Sequence, residues 1–209
     1  MSSKTFEIGD ETDQALTTTL VHEMFLCKAS FEEYAKLAQM NIMGYKGKEL
    51  KVRCHDAYAR FLTHLYEFYV GCIQRDRRSL ASVDNKLIDR MLTGEVRKLL
   101  RHREEAILNG TAPSWENHIS VYQVEVPESF GEQFRKIRNR TAHASVKRSV
   151  PGDEITLAGF YSSYHKFVYL LFYHGQWLWT VSDIEAHNWR AIEDFDLAVR
   201  SREAFNDPA

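Results

Sequence analysis

Two long stretches of helical periodicity constrain what this chain can fold into. In the first, apolar residues follow one another at steps of three and four: Leu16, Leu20, Met24, Cys27, Phe31, Tyr34, Ala38 and Ile42. The second runs from about Glu49 to Arg78 and carries a broader stripe: Tyr58, Phe61, Leu62, Leu65, Phe68, Tyr69, Cys72 and Ile73. This spacing places side chains on one face of an α-helix. Two such helices must bury their apolar faces, which predicts a bundle with the second helix at its centre.

Cap signals and periodicity predict further helices. Asp84 is a suitable N-cap for a third helix that ends at Asn109-Gly110. A fourth begins after Pro127, and a fifth, aromatic helix covers about 154–173. The capping-box pattern of 182–185 opens a last helix that contains Ile192, Phe195 and Val199. We therefore expect an all-α, up-and-down bundle of five to six helices.

One segment departs from the helical pattern. Residues 110–127 include two prolines and then a loosely alternating stretch, HISVYQVEV. Alternation of this kind is typical of a strand with one face buried. We therefore expect a loop that contains one short β element near 118–126.

Length and charge limit the class of protein. The 209 residues are 44% hydrophobic, which is enough for one core and predicts a single domain over 1–209. Residues 1–11 show no period and are expected to be mobile. The formal net charge is only −2, whereas proteins that bind nucleic acid through bulk charge are basic. Any RNA contact must therefore depend on a local patch.

Cysteine usage and apolar runs bear on compartment and cofactors. Cys27, Cys54 and Cys72 are far apart and form no CxxC pattern, so neither a disulfide framework nor a zinc site is expected. The polar, acidic N-terminus does not resemble a secretory signal, and the apolar run 167–173 is too short to span a membrane. We expect a cytoplasmic protein that has no cofactor and does not enter a membrane.

The fourth helix concentrates the groups capable of chemistry. Its apolar residues keep helical steps: Phe130, Phe134, Ile137, Thr141 and Ala144. The other side and its edges carry Arg135, Arg138, Asn139 and His143. One face can therefore enter a core while the other presents cations and an imidazole.

Arginine and histidine separated by four residues occur twice in the chain. One pair is Arg138 and His143, and the other is Arg97 and His102. A pair at this spacing is expected by chance in a chain of this composition. Arg97 is followed by Lys98 within a charged helical face, whereas Arg138 is followed by a polar Asn139 near the end of a short helix. This context favours the second pair.

The hexapeptide Arg138 to His143, RNRTAH, resembles the arginine, polar residue, three residues, histidine signature of the HEPN family. Those proteins are small helical bundles, and many are metal-independent ribonucleases in toxin–antitoxin, phage-defence and RNA-processing systems. The resemblance implies a homodimer that brings two motifs to one cleft, and an antitoxin or defence-system partner protein. HEPN toxins silenced by nucleotidyltransferase antitoxins commonly have a tyrosine two positions after the histidine. Ser145 stands there, which argues against regulation by tyrosine adenylylation.

The residue types suit RNA cleavage by the substrate's own 2′-hydroxyl. Such cleavage needs an acid and a base, and the ordinary pKa of a histidine, about 6.5, allows His143 to serve as either. Arg138 offers a planar fork to the charged transition state. Asn139 would position a phosphate or orient His143. The other cations, Arg135, Arg140 and Lys147, would extend the phosphate contacts.

Other interpretations remain open. No set of metal ligands accompanies the motif, so a metal is not expected. Arg138 and His143 could form a solvated helix end where cations are favoured. The chain could be a HEPN-like module that binds RNA or a partner protein without catalysis, or an interaction bundle whose motif is coincidental. Glu67 lies among aromatic residues of the central helix, and it either pairs with a motif arginine or reaches solvent.

Overall fold

Helices make up the regular structure of the chain, as the sequence predicted. The computed structural model describes residues 5–116, 118–142, 155–178, 185 and 187–203. These residues contain six α-helices and no strand. The helices are α1 (Glu11–Ile42), α2 (Lys48–Asp76), α3 (Asn85–Leu108), α4 (Phe130–Ala142), α5 (Leu157–Leu178) and α6 (Arg190–Glu203).

The two longest helices, α1 and α2, pack against each other along most of their length. Three polar pairs fix an antiparallel register between them: Asp13 with Arg75, Glu23 with His64, and Glu33 with Arg60. On its other faces α2 contacts α3, α4 and α5. Side chains in its middle are fully buried: Phe61, Leu62, Leu65 and Phe68. The second helix is therefore the central one, as its broad apolar stripe predicted.

In the N-terminal segment, for which we expected mobility, Phe6 is anchored against the turn after α2. Thr5 forms an isolated bridge with Ser79, and Phe6 is 6% exposed. Asp10 then caps α1 by accepting a 2.8 Å hydrogen bond from the backbone amide of Asp13. The sequence signal was weak because these contacts join the segment to a distant part of the chain, beyond the end of α2.

The short strand expected near 118–126 does not form. Ile119–Val121 is instead a 3-10 helix, in which the amide of Tyr122 donates to the carbonyl of Ile119 at 2.9 Å. The alternating apolar residues of this segment nevertheless face the core: Tyr122, Val124 and Val126 all pack on it. The 3-10 helix contacts α3, and the described residues contain no strand that could pair with the segment.

The last helix begins later than predicted. The amide of Arg190 donates to the side chain of Asn188 at 3.0 Å, and α6 starts there. Residues 182–184 of the predicted capping box lie outside the described residues, as does the predicted start of α5 at Glu154. Just before α6, Trp189 stacks on His22 of α1 with ring centroids 4.5 Å apart.

A close approach between α3 and α4 sets the position of α4. A Cβ atom at Gly131 would fall inside the van der Waals contact distance of the Asp89 carbonyl. The amide of Gly131 donates to the hydroxyl of Thr93 at 3.1 Å, and that hydroxyl donates to the Asp89 carbonyl at 2.9 Å. Only glycine allows the two backbones to lie this close.

Replacing Gly131 with alanine is therefore expected to destabilise the fold by about 3 kcal/mol, because the added methyl group meets rigid backbone. Urea denaturation followed by circular dichroism measures the change. Gly94 of α3 is the matched control, since no atom lies within 4 Å of a Cβ built there. Gly94→Ala should raise the free energy of unfolding by about 0.5–1 kcal/mol. Equal effects of the two substitutions would contradict the close approach.

Candidate functional site

The apolar face of α4 enters the core as its periodicity predicted. Phe130, Phe134 and Ile137 are fully buried, against α2, α3 and α5. Near the helix end the hydroxyl of Thr141 donates back to the Ile137 carbonyl at 2.9 Å. The polar side chains of the motif therefore project from a helix whose rotation about its own axis is fixed.

Arg138 is held between two residues of α2. Its Nη2 donates to the Glu67 carboxylate, and its guanidinium carbon lies 5.8 Å from the centroid of the Tyr66 ring. Its Nη1 donates to the Asn139 side-chain oxygen at 2.9 Å. The Arg138 side chain is 26% exposed. The guanidinium is therefore oriented by three neighbours, and part of it remains open to solvent.

One donor of Arg138 has no partner within the described ranges. Its Nε is buried and has no hydrogen-bond acceptor among the described residues. A buried donor that makes no hydrogen bond costs on the order of 1–3 kcal/mol. The ion pair with Glu67 offsets that cost only in part, since the Glu67 side chain is 37% exposed and half-exposed pairs contribute little. Arg138 Nε is therefore the one buried side-chain donor of the described residues whose acceptor this part of the chain does not supply.

Arg135, a predicted RNA contact, forms a structural ion pair. Its Nε and Nη2 donate to the two carboxylate oxygens of Asp89 at 2.9 and 2.8 Å. Both side chains are largely buried, at 21% and 12% exposure. The hydrogen bond to Asp89 raises the pKa of Arg135 above its ordinary value. This two-point pairing fastens α4 to α3 beside Gly131.

The remaining predicted residues divide into two groups. Asn139 is exposed and Arg140 is half-buried, both in the last turn of α4. His143 and Lys147 lie outside the described residues, as does Ser145. The structure therefore brings Arg138 and Asn139 together and adds Glu67 and Tyr66 to them.

The second arginine and histidine pair has a different environment. Arg97 Nη2 donates to the Val126 carbonyl at 2.8 Å and to the Glu128 carboxylate at 2.7 Å. These contacts fasten the segment that leads into α4, while His102 is exposed on α3. Arg97 thus has a structural role that accounts for it without chemistry.

Sequence reasoning identified Glu67 but left its partner open, and it missed Tyr66 and Asp89. A signal for Glu67 existed: it is an acidic residue between Tyr66 and Phe68, two aromatic residues that are buried. A carboxylate in such a stretch needs a cation or solvent. No comparable signal marked Asp89, because its pairing depends on how α3 and α4 cross.

Comparisons with protein-family models, curated proteins and solved structures find no match. Within the described ranges, no group of three or more His, Cys, Asp or Glu side chains could hold a metal ion. None of the helices described above combines the length and the apolar character that a membrane crossing requires.

The two carboxylates that face α4 are expected to differ in their effect on stability. Asp89→Asn should lower the free energy of unfolding by about 2 kcal/mol, because an amide would face the donors of Arg135 in a largely buried site. Glu67→Gln should cost less than about 1 kcal/mol, since that pair is partly exposed. Thermal and urea denaturation of both variants measure this. A larger loss for Glu67→Gln would show that its ion pair with Arg138 is chiefly structural.

Proposed function

We propose that the chain is a homodimeric, metal-independent endoribonuclease of the HEPN type, which acts as a toxin, a phage-defence effector or an RNA-processing enzyme. The observation that carries this proposal is the environment of Arg138. The guanidinium is oriented by Glu67 and Tyr66 at the end of α4, five residues before His143. The alternative arginine, Arg97, is engaged with the segment before α4.

Each residue has a role in this mechanism. His143 from each of two chains would act as acid or base, one on the 2′-hydroxyl and one on the leaving oxygen. Arg138 would stabilise charge on the phosphorane-like transition state through its planar fork. Glu67 would act as a positioning residue, because it fixes the direction of that fork. Asn139 would bind phosphate once its hydrogen bond with Arg138 is broken.

The surrounding cations would bind the RNA backbone. Arg140 follows Asn139 on α4, and Lys147 lies farther along the chain. Contacts of this kind position RNA without reading its sequence. Arg135 would add little to these contacts with the RNA backbone, because Asp89 balances its charge.

Two features support a homodimer. One chain supplies one motif histidine, whereas the chemistry needs both an acid and a base. In addition, residues 190–200 of α6 are all exposed, and Ile192, Phe195 and Val199 form an apolar stripe at helical spacing. The fifth helix directs Phe160, Phe167 and Phe172 into the core of its own chain, whereas its Tyr161, Tyr169 and Trp177 are exposed.

The charges of α6 favour a second copy of the same helix as its partner. The first half of α6 carries Arg190 with Glu193, Asp194 and Asp196, for a net charge of −2, and the second half carries Arg200, Arg202 and Glu203, for a net charge of +1. Arg200 also pairs with Asp196 of its own helix at 2.7 Å. An antiparallel pair about a two-fold axis would place acidic halves against basic halves. We therefore propose α6 as part of the dimer interface.

A second candidate function has its own support. Glu67 neutralises Arg138, which would suit a HEPN-like module that binds RNA or a partner protein without cutting RNA. The two proposals differ in whether bound RNA is cleaved.

The proposed chemistry predicts three results together. RNA should be cut in excess EDTA. The products should carry a 2′,3′-cyclic phosphate or the 3′-phosphate formed from it, opposite a 5′-hydroxyl. A substrate with deoxyribose at the scissile position should bind but remain intact, because binding depends on phosphates and cleavage needs the 2′-hydroxyl. Dependence on added magnesium, or cleavage of the deoxy substrate, would contradict the mechanism, whereas binding of unmodified RNA without any cleavage would favour the second candidate.

Variants serve as controls for this cleavage. His143→Ala should abolish it and His102→Ala should not, with the fold unchanged by circular dichroism. Arg138→Lys keeps the charge and loses the fork, so it should reduce the rate about a hundredfold. Glu67→Gln should also reduce the rate while leaving RNA affinity nearly unchanged. Loss of activity in His102→Ala but not in His143→Ala would show that the chemistry belongs to the pair Arg97 and His102.

The proposed assembly predicts a particle mass about twice 24.4 kDa, measured by light scattering at micromolar concentration. Phe195→Glu places a charge in the apolar stripe of α6, so it should give monomers and abolish cleavage. Lys36→Glu changes the charge of an exposed residue of α1 and is the control, which should remain dimeric. A wild-type monomer, with or without RNA, would remove the composite site.

A further inference from the structure

A cavity of about 320 Å³ is lined by α3, α5 and residues from 115–116 and 121–124. It shares no lining residue with the site around Arg138. Its most prominent lining residues are Arg103, Trp115, Tyr122, Lys166, Phe167 and Tyr173. Cavities that bind small molecules begin at roughly this volume and combine apolar walls with a few polar groups.

Aromatic rings form the walls. Phe167 is buried, whereas the Trp115 side chain is 68% exposed at the rim. Tyr122, Tyr169 and Tyr173 also line the cavity. The aliphatic lining residues are Leu100, Val121, Val124 and Leu170. An exposed indole beside other rings offers a face on which a planar ligand can stack.

Inside the cavity the polar groups are already paired. The Glu116 side chain is 5% exposed and accepts hydrogen bonds from Arg103, at 3.1 Å, and from the Tyr122 hydroxyl. Arg103 also lies over the Tyr173 ring, 5.4 Å from its centroid. Burial, together with the Glu116 hydrogen bond, raises the pKa of Tyr122 to about 12, so that its hydroxyl keeps its proton. The cavity is therefore pre-formed, with its internal charges balanced.

Lys166 leaves a positive charge at the rim. Its ammonium nitrogen lies 4.9 Å from the Phe167 ring centroid, and its side chain is exposed. No carboxylate in the described part of the chain forms an ion pair with it. A purely apolar ligand would leave this cation unused, whereas an anionic group on the ligand could reach it.

We propose that this cavity binds a planar aromatic molecule that carries one anionic group. Its ring would lie on Trp115 between the tyrosines, and its anion would pair with Lys166. Two sources share this chemistry: a free aromatic carboxylic acid, and a nucleotide. The proposal stands on this cavity alone and does not depend on RNA cleavage.

Isothermal titration of the full chain tests this with ligands matched in shape. Indole-3-acetate represents the aromatic acids and adenosine 5′-monophosphate represents the nucleotides. At least one of them should bind with Kd below about 1 mM. The anion that binds more tightly shows which of the two sources, the aromatic acids or the nucleotides, fits the cavity. The neutral counterparts, indole-3-acetamide and adenosine, should bind at least about tenfold more weakly, because they cannot pair with Lys166. Binding of neither anion, or equal binding of the anion and its neutral counterpart, would overturn the proposal.

Variants locate the binding. Lys166→Met should make the anion and its neutral counterpart bind equally, and Trp115→Ala should weaken both by about tenfold or more. Lys36→Met removes an exposed charge on α1 and should change nothing. His143→Ala should bind as the wild type does, which separates this result from the outcome for ribonuclease activity. Unchanged binding in Trp115→Ala would place the ligand elsewhere and overturn the proposal.

Discussion

The close contact between Gly131 of α4 and the backbone at Asp89 of α3 is the constraint on which the candidate site depends. It removes the freedom of α4 to shift along α3. Asp89 then contributes twice: its carbonyl accepts from Thr93, and its carboxylate binds Arg135 at two points. Because α4 has only thirteen residues, fixing its first half also fixes the direction of Arg138. A short helix can therefore hold a precise site without a long interface of its own.

The contacts of Arg138 have opposite consequences for the function that we propose. Glu67 fixes the guanidinium, and it also reduces the charge that a phosphate would meet. Asn139 occupies a further donor, yet it is exposed and can exchange for a phosphate oxygen at low cost. A guanidinium has five donors, so a phosphate could bind the donors that face solvent while Glu67 stays hydrogen-bonded to Nη2. A positioned fork of this kind suits transition-state stabilisation better than a mobile cation does.

The sequence predicted the helical class, the central place of α2 and the buried face of α4, because each follows from a period of 3.6 residues that local spacing encodes. It did not predict the packing of Phe6, the 3-10 helix at Ile119–Val121 or the later start of α6. These features depend on contacts between distant segments, such as Phe6 with the turn after α2. In the same way, the face of α4 that carries Arg138 followed from spacing, but the choice between a pair with Glu67 and a solvent-exposed Glu67 did not.

The two pairs of arginine and histidine show the same difference between what local spacing encodes and what contacts between distant segments decide. Their spacing is identical, so local geometry cannot separate them. What differs is the surface opposite each arginine. Arg97 meets a backbone carbonyl and an exposed carboxylate on the segment before α4, so its fork supports the fold. Arg138 meets one carboxylate, an aromatic face and the side-chain oxygen of Asn139, and its Nε is left without a partner among the described residues. Among the described residues, Arg138 differs from Arg97 in this one buried donor, which the packing of the fold alone does not explain.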